Sequence, residues 1–200
     1  MRRTARRHVH RRDAVVIPGS LARRYAKALL ALAESPLLRD RFDKDLERFV
    51  ETVRVRDPSG ATILQVLCAK RFPLSERTAL LRGVAGRLGL DGTLTEFLAY
   101  VLRRDRMVGI AQIARAYRRL ADDAAGRVRA VYTTARPLAP ADASAVTRAL
   151  QAALGKQIVA TTRVDPEILG GIVVQVGSYL IDGSVRAQLA RLRNELRNAS

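Results

Sequence analysis

The stretch Asp165-Pro166-Glu167-Ile168-Leu169-Gly170-Gly171-Ile172-Val173-Val174, running on through Tyr179-Leu180-Ile181-Asp182-Gly183-Ser184-Val185-Arg186 to Leu189, decides the architecture of the C-terminal part of the chain. Asp165 can cap a single helical turn with Pro166 at its first position, where a missing N–H costs little. Gly170-Gly171 ends that turn without steric penalty. Ile172, Val174 and Val176 alternate as one face of a strand, and Gly177-Ser178 makes a tight hairpin into Tyr179-Leu180-Ile181. Asp182 beside Ser184 reads as a turn and N-cap pair opening a last helix, with Val185, Leu189, Leu192 and Leu196 along one side. Arg191, Arg193 and Arg197 sit toward its C-terminus, where the helix dipole favours cations. Such dense punctuation suits a folded adaptor surface and holds nothing that looks like an active site.

Upstream, Val128, Ala130 and Tyr132 alternate with Arg127, Arg129 and Val131 as a half-buried strand. Pro137 and Pro140 break the chain before a helix carrying Val146, Leu150 and Leu154 and stopped by Gly155, after which Ile158, Ala160, Thr162 and Val164 alternate again. Before Gly126 the period is helical throughout. Ser20 caps a first helix with Leu21, Tyr25, Ala28, Leu29 and Leu32 on one stripe and Ala22, Ala26, Leu30 and Ala33 on a second, smaller one. A second helix, about Leu37 to Arg54, buries Leu46, Phe49, Val50 and Val53, and Asp57-Pro58-Ser59-Gly60 turns the chain into a short helix with Ile63, Leu64 and Leu67. Ser75 caps a fourth helix closed by Gly89. Thr93 and Glu96 have capping-box spacing for a fifth that carries Phe97, Leu98, Tyr100, Val101 and Leu102. A sixth holds Ile110, Ile113, Ala114, Tyr117, Leu120 and Ala121 and fades at Gly126. The expected fold is mainly α: a basic disordered arm over 1–17, a six-helix bundle over 18–126, and a small α+β domain with a β-hairpin over 127–200.

Scarce aromatics, 4%, and no tryptophan leave the cores to Leu, Val, Ile and Ala, which favours close-packed helices. The formal net charge of +17 invites a nucleic-acid partner. Yet the cations are nearly all arginine, and Arg2, Arg3, Arg6, Arg7, Arg11 and Arg12 crowd the first dozen residues, where no acid appears. Elsewhere they are spread along helices among Asp and Glu, so no nucleic acid is expected; an RNA- or ribosome-associated protein is the alternative. With Cys68 the only cysteine, an internal disulfide is ruled out, and no window approaches the roughly 18 apolar residues of a membrane span.

The residues offer no catalytic constellation. Gly155-Lys156 lacks the upstream glycine and following Ser or Thr of a phosphate loop, since Leu150 and Gln157 stand there. Gly83, Gly86 and Gly89 lie within or at the end of a helix, where close packing or capping is expected. His8 and His10 are the only histidines and sit in the arm, which leaves no Ser–His or Cys–His pair for the folded part. Cys68, among Leu64, Leu67 and Phe72, reads as a small buried hydrophobe. Catalytic, cofactor and metal residues are all expected to be absent.

Leu21-Ala22-Arg23-Arg24-Tyr25-Ala26-Lys27-Ala28-Leu29 resembles the first helix of the delta subunit of F-type ATP synthases, whose mitochondrial counterpart is the oligomycin-sensitivity-conferring protein. The Asp165–Leu189 segment resembles that family's C-terminal signature. Arg103-Arg104-Asp105-Arg106-Met107 and Thr134-Ala135-Arg136-Pro137-Leu138 fall between them in the family's order. The resemblance implies a non-catalytic peripheral-stalk subunit, one copy per complex, on the cytoplasmic face of a bacterial inner membrane. Its N-terminal domain would hold the N-terminal helix of an alpha subunit in a groove between the first and fifth helices. That carries over to Tyr25, Ala28, Leu29 and Leu32, and to Phe97, Tyr100 and Val101. The C-terminal domain would grip the C-terminal region of the b subunits, with Gly170, Gly171, Asp182, Gly183 and Ser184 shaping that domain.

Overall fold

The computed structural model describes residues 17–198 apart from Ser59 and Ser178, with side chains followed to Leu192. The arm expected over 1–17 therefore falls outside the described residues except for Ile17, as do the side chains of Arg193, Leu196 and Arg197 and the turn residues Ser59 and Ser178. The chain is mainly helical, with a four-stranded sheet in its C-terminal part. It divides into two compact units between Ala121 and Asp122. The change of sequence period at Gly126 lies a few residues later. The reason is local: Asp122, in the last turn of its helix, pairs with Arg129 at 2.6 Å and Arg127 at 3.5 Å on the following strand.

The first unit contains α1 (Gly19–Leu32), α2 (Pro36–Arg54), α3 (Ile63–Cys68), α4 (Leu74–Leu88), α5 (Gly92–Arg103) and most of α6 (Ile110–Ala124). One core joins them: Phe42, Leu46, Phe49 and Val53 of α2 meet Leu94, Leu98 and Leu102 of α5 and Ile110, Ile113 and Tyr117 of α6. Tyr117 reaches through this core, and its hydroxyl donates to the Arg39 carbonyl at 3.2 Å. Burial pushes its pKa upward, so it stays a neutral donor. Ile17 is buried against Gly109, where any Cβ would run into the Ile17 side chain.

Several helix starts differ from their sequence signals. Neither Ser20 nor Ser75 is a cap: α1 and α4 begin one residue earlier, and the carbonyls of Pro18 and Pro73 take the first helical bonds. Thr93 and Glu96 form no capping box. Asp91 is the N-cap of α5 and accepts from the Thr93 N–H at 2.9 Å, while Glu96 pairs with Arg82. The capping box belongs instead to Thr62 and Gln65 at α3. A Cβ on Gly83 or Gly86 would meet nothing within 4 Å, so neither is a close-packing glycine; Gly89, at φ +62, does close α4.

In the second unit, β1 (Arg127–Thr134) leads through α7 (Pro140–Leu154) to β2 (Gln157–Val164), which lies parallel to β1. A parallel neighbour needs such a crossover. After one 3-10 turn at Pro166–Ile168, β3 (Ile172–Val176) pairs antiparallel with the other side of β1, and β4 (Tyr179–Asp182) pairs antiparallel with β3. The order is β2-β1-β3-β4, with α8 (Val185–Asn198) last. Ala130, Tyr132, Ile158, Val174 and Val176 form the core on one sheet face, with Val146 and Leu150 of α7 packed against it. Leu154, expected on the same stripe, is largely exposed, as is Val164. The turn after Pro166 is closed by Leu169 at φ +65 rather than by Gly170; Gly171, at φ +77, takes the next left-handed position.

Candidate docking surfaces

The expected groove residues separate into two layers. Helix α1 has two apolar strips; it buries Ala22, Ala26 and Ala33 of the smaller one together with Leu29 of the larger, while Leu30 is only half-buried. The rest of the larger strip lies toward the surface, with Leu21 and Tyr25 half-buried, Ala28 exposed and Leu32 48% exposed.

Opposite lies α5. Tyr25 meets Phe97 edge-on, ring centres 6.5 Å apart, and Tyr100 at 6.2 Å. Such tilted and edge contacts suit the ring quadrupoles. Tyr100 is 41% exposed, and the Arg104 guanidinium covers its ring at 5.3 Å. The outcome is an aromatic ledge of Tyr25, Ala28, Leu32 and Tyr100, backed by nearly buried Phe97. Leu29 and Val101 are fully buried and can only support it from beneath.

The signature residues of the second unit meet at one junction. The Gly183 N–H donates to the Ile172 carbonyl at 3.0 Å, and Val185 N–H to the Gly170 carbonyl at 3.0 Å. A Cβ on Gly171 would collide with the Gly183 carbonyl oxygen, and one on Gly170 would lie 3.2 Å from a Val185 methyl. Asp182 accepts from the Ser184 N–H at 2.9 Å, and the Ser184 hydroxyl accepts from the Ala187 N–H at 3.1 Å, which caps α8. The side-chain and backbone hydrogen bonds from Ser184 hold the Asp182 carboxyl below the usual carboxylate range. The glycines and the Asp–Ser pair thus pin the start of α8 to β3 and β4.

Cys68 is half-buried beside Leu67, and burial pushes its thiol pKa up, away from a reactive thiolate. Among the described residues, no group of three or more His, Cys, Asp or Glu could hold a metal, and no helix is long and apolar enough to cross a membrane.

Residues 21–196 match the family model of the ATP synthase delta (OSCP) subunit. The chain belongs to this family. It is 35% identical to the ATP synthase subunit delta of Geobacter metallireducens over 90% of this chain and 98% of that one. It is 38% identical to the subunit delta of Myxococcus xanthus over 89% and 97%. A chain of the Toxoplasma gondii mitochondrial ATP synthase hexamer, solved by cryo-electron microscopy, shares the fold with a TM-score of 0.61 at 22% identity, covering 88% of this chain and 97% of that one. The delta-family match takes in both the ledge and the junction, and leaves only residues 1–20 and 197–200 outside it.

Proposed function

We propose that this delta-family chain is a non-catalytic stator clamp in the peripheral stalk of an F-type ATP synthase. Residues 18–126 act as the six-helix, head-binding domain and hold the N-terminal helix of an alpha subunit. Residues 127–200, with their β-hairpin, bind the C-terminal region of the membrane-anchored b subunits. One copy serves each complex, on the cytoplasmic face of a bacterial inner membrane. Rotation of the central shaft drags on the catalytic head, and the clamp ties the head to the membrane sector so that proton-driven rotation is spent on ATP synthesis.

The observation that carries this reading is the apolar surface that α1 leaves beside α5. With Ala22, Ala26, Leu29 and Ala33 already filling its core side, α1 still leaves Ala28 and Leu32 exposed and Tyr25 half-buried against Tyr100, apolar surface that suits a contact outside the unit. An amphipathic helix laid in an apolar groove is the matching recognition mode. The test is cosedimentation of the full chain with the organism's isolated catalytic head. Ala28→Asp, on an exposed position, leaves helicity unchanged and abolishes cosedimentation. Unchanged binding of that variant would show that the ledge is not the contact.

A further inference from the structure

The cations bordering the ledge gather at one of its ends. Helix α1 carries Arg23, Arg24 and Lys27 and no cation after Ala28, whereas α5 has none before Arg103 and its cap residue Arg104. Ile17, just ahead of α1, is buried against Gly109, a little past the close of α5. The start of α1 and the close of α5 therefore lie at the same end of the ledge, and their charges share it. Toward the other end the two helices offer Leu32, Thr93 and Glu96, with Glu34 following α1.

Two of these arginines stand beside the apolar residues themselves. Arg24 follows Leu21 by three residues and precedes Ala28 by four, spacings that put all three on one helix face. Its side chain is exposed. Arg104 is held over the Tyr100 ring at 5.3 Å, and a stacked guanidinium keeps its edge donors for a carboxylate. Among the described residues no ion pair joins either arginine to an acid. Asp105 is engaged with Lys70 at 3.2 Å and Arg77 at 3.5 Å, and Glu96 with Arg82 at 2.9 Å, so the bordering carboxylates are already used.

An apolar strip with arginines along one end fits a helix that combines apolar anchors with acidic side chains. The chain's own first dozen residues are no such partner, having six arginines and no acid. A nucleic-acid strand would satisfy the arginines through its phosphates but would leave the aliphatic Ala28 and Leu32 without an apolar cover.

We propose that Arg24 and Arg104 are the residues by which the ledge selects its partner: the alpha-subunit helix it accepts bears acidic side chains beside its apolar face, and these meet the two arginines. This rests on the reading of the first unit as the alpha-binding one. The apolar ledge supplies most of the affinity. An exposed pair at its rim changes affinity by at most about fivefold, fading as salt rises. Its larger effects are on the rate of encounter and on the rejection of like-charged sequences.

The experiment titrates the full chain with a peptide from the N-terminus of the organism's alpha subunit at low and high salt, reading affinity by calorimetry and association by stopped flow. Replacing the peptide's acids by lysine weakens low-salt binding about tenfold and slows association, and the loss shrinks at high salt. Arg24→Glu with Arg104→Glu weakens binding of the natural peptide by a similar factor and restores that of the lysine peptide. This crossed rescue separates charge recognition from lost packing on Tyr100. Arg24→Gln with Arg104→Gln reverses no charge and binds both peptides alike. If the natural peptide binds the wild-type chain and Ala28→Asp abolishes it, yet the charge changes alter neither affinity nor rate at low salt, the selection is refuted and the alpha-binding reading stands. If the natural peptide fails to bind the wild-type chain, both fall. Loss of RNA binding in the double Glu variant, with peptide binding intact, would assign the arginines to a nucleic acid and overturn the proposal.

Discussion

Replacing Gly171 by alanine tests whether the β3–β4–α8 junction is held by backbone packing. Gly171 has φ +77, and an added Cβ would collide with the Gly183 carbonyl oxygen while lying 3.1 Å from Ser184 Cα. All of these are backbone atoms, so no flexible side chain can swing aside. Gly155, in the same unit, has φ +62 with nothing within 4 Å of the added Cβ, so it reports the conformational cost alone. A left-handed non-glycine costs about 1–2 kcal/mol. The steric overlap at Gly171 adds about 1–3 kcal/mol more, for a total of about 2–5 kcal/mol. At roughly 0.05–0.15 kcal/mol per residue, a unit of this size holds about 4–12 kcal/mol. At the middle of these ranges Gly171→Ala removes about two fifths of its stability, and Gly155→Ala about a fifth. Native-state amide exchange at β1 and β3 of the full chain, at Tyr132 and Val174, reads both values. Equal losses for the two variants would refute the close-approach argument.

Three further outcomes follow. Leu29→Ala, at a fully buried position, destabilises the first unit by about 2–5 kcal/mol, whereas Tyr100→Ala on the ledge costs little stability and instead weakens alpha-peptide binding; parallel unfolding and titration series separate them. Tyr132→Phe removes the 2.9 Å contact with Thr147, whose hydroxyl keeps its bond to the Ala143 carbonyl, and costs about 1 kcal/mol in unfolding of the second unit. Asp182 has a folded pKa below its unfolded value, so its stabilising share is full above the unfolded value and is lost as pH falls through the folded one; protection of the α8 start falls in that acid range and becomes flat with pH in Asp182→Asn.

Periodicity exposed most of the elements, because burial on one face leaves a repeat of about 3.6 or 2 whatever lies against it. That same generality hid what mattered for binding. On α1 the sequence offers two apolar strips, and nothing in their spacing says that the alanines, Ala22 and Ala26, are the pair that goes inside. On α8 a regular stripe reads like a core face, yet Leu189 and Leu192 are each more than half exposed. A stripe aimed at a partner and one aimed at a core obey one pattern. Helix starts slipped for a different reason: a serine one residue inside the first turn looks like a cap, and Pro18 and Pro73 supply only their carbonyls, which leave no side-chain signal. The Asp182–Ser184 pair was legible because its hydrogen bonds are local. The Gly171 approach to Gly183 spans a hairpin and shows only in three dimensions.

The measurement that tests the stator reading most directly is titration of the full chain with a peptide from the N-terminus of the organism's ATP synthase alpha subunit, at moderate and high salt. The account predicts tight one-to-one binding that is largely insensitive to salt, because Tyr25, Ala28, Leu32 and Tyr100 form an apolar ledge. Absence of peptide binding, together with RNA binding that falls steeply as salt rises, would contradict it.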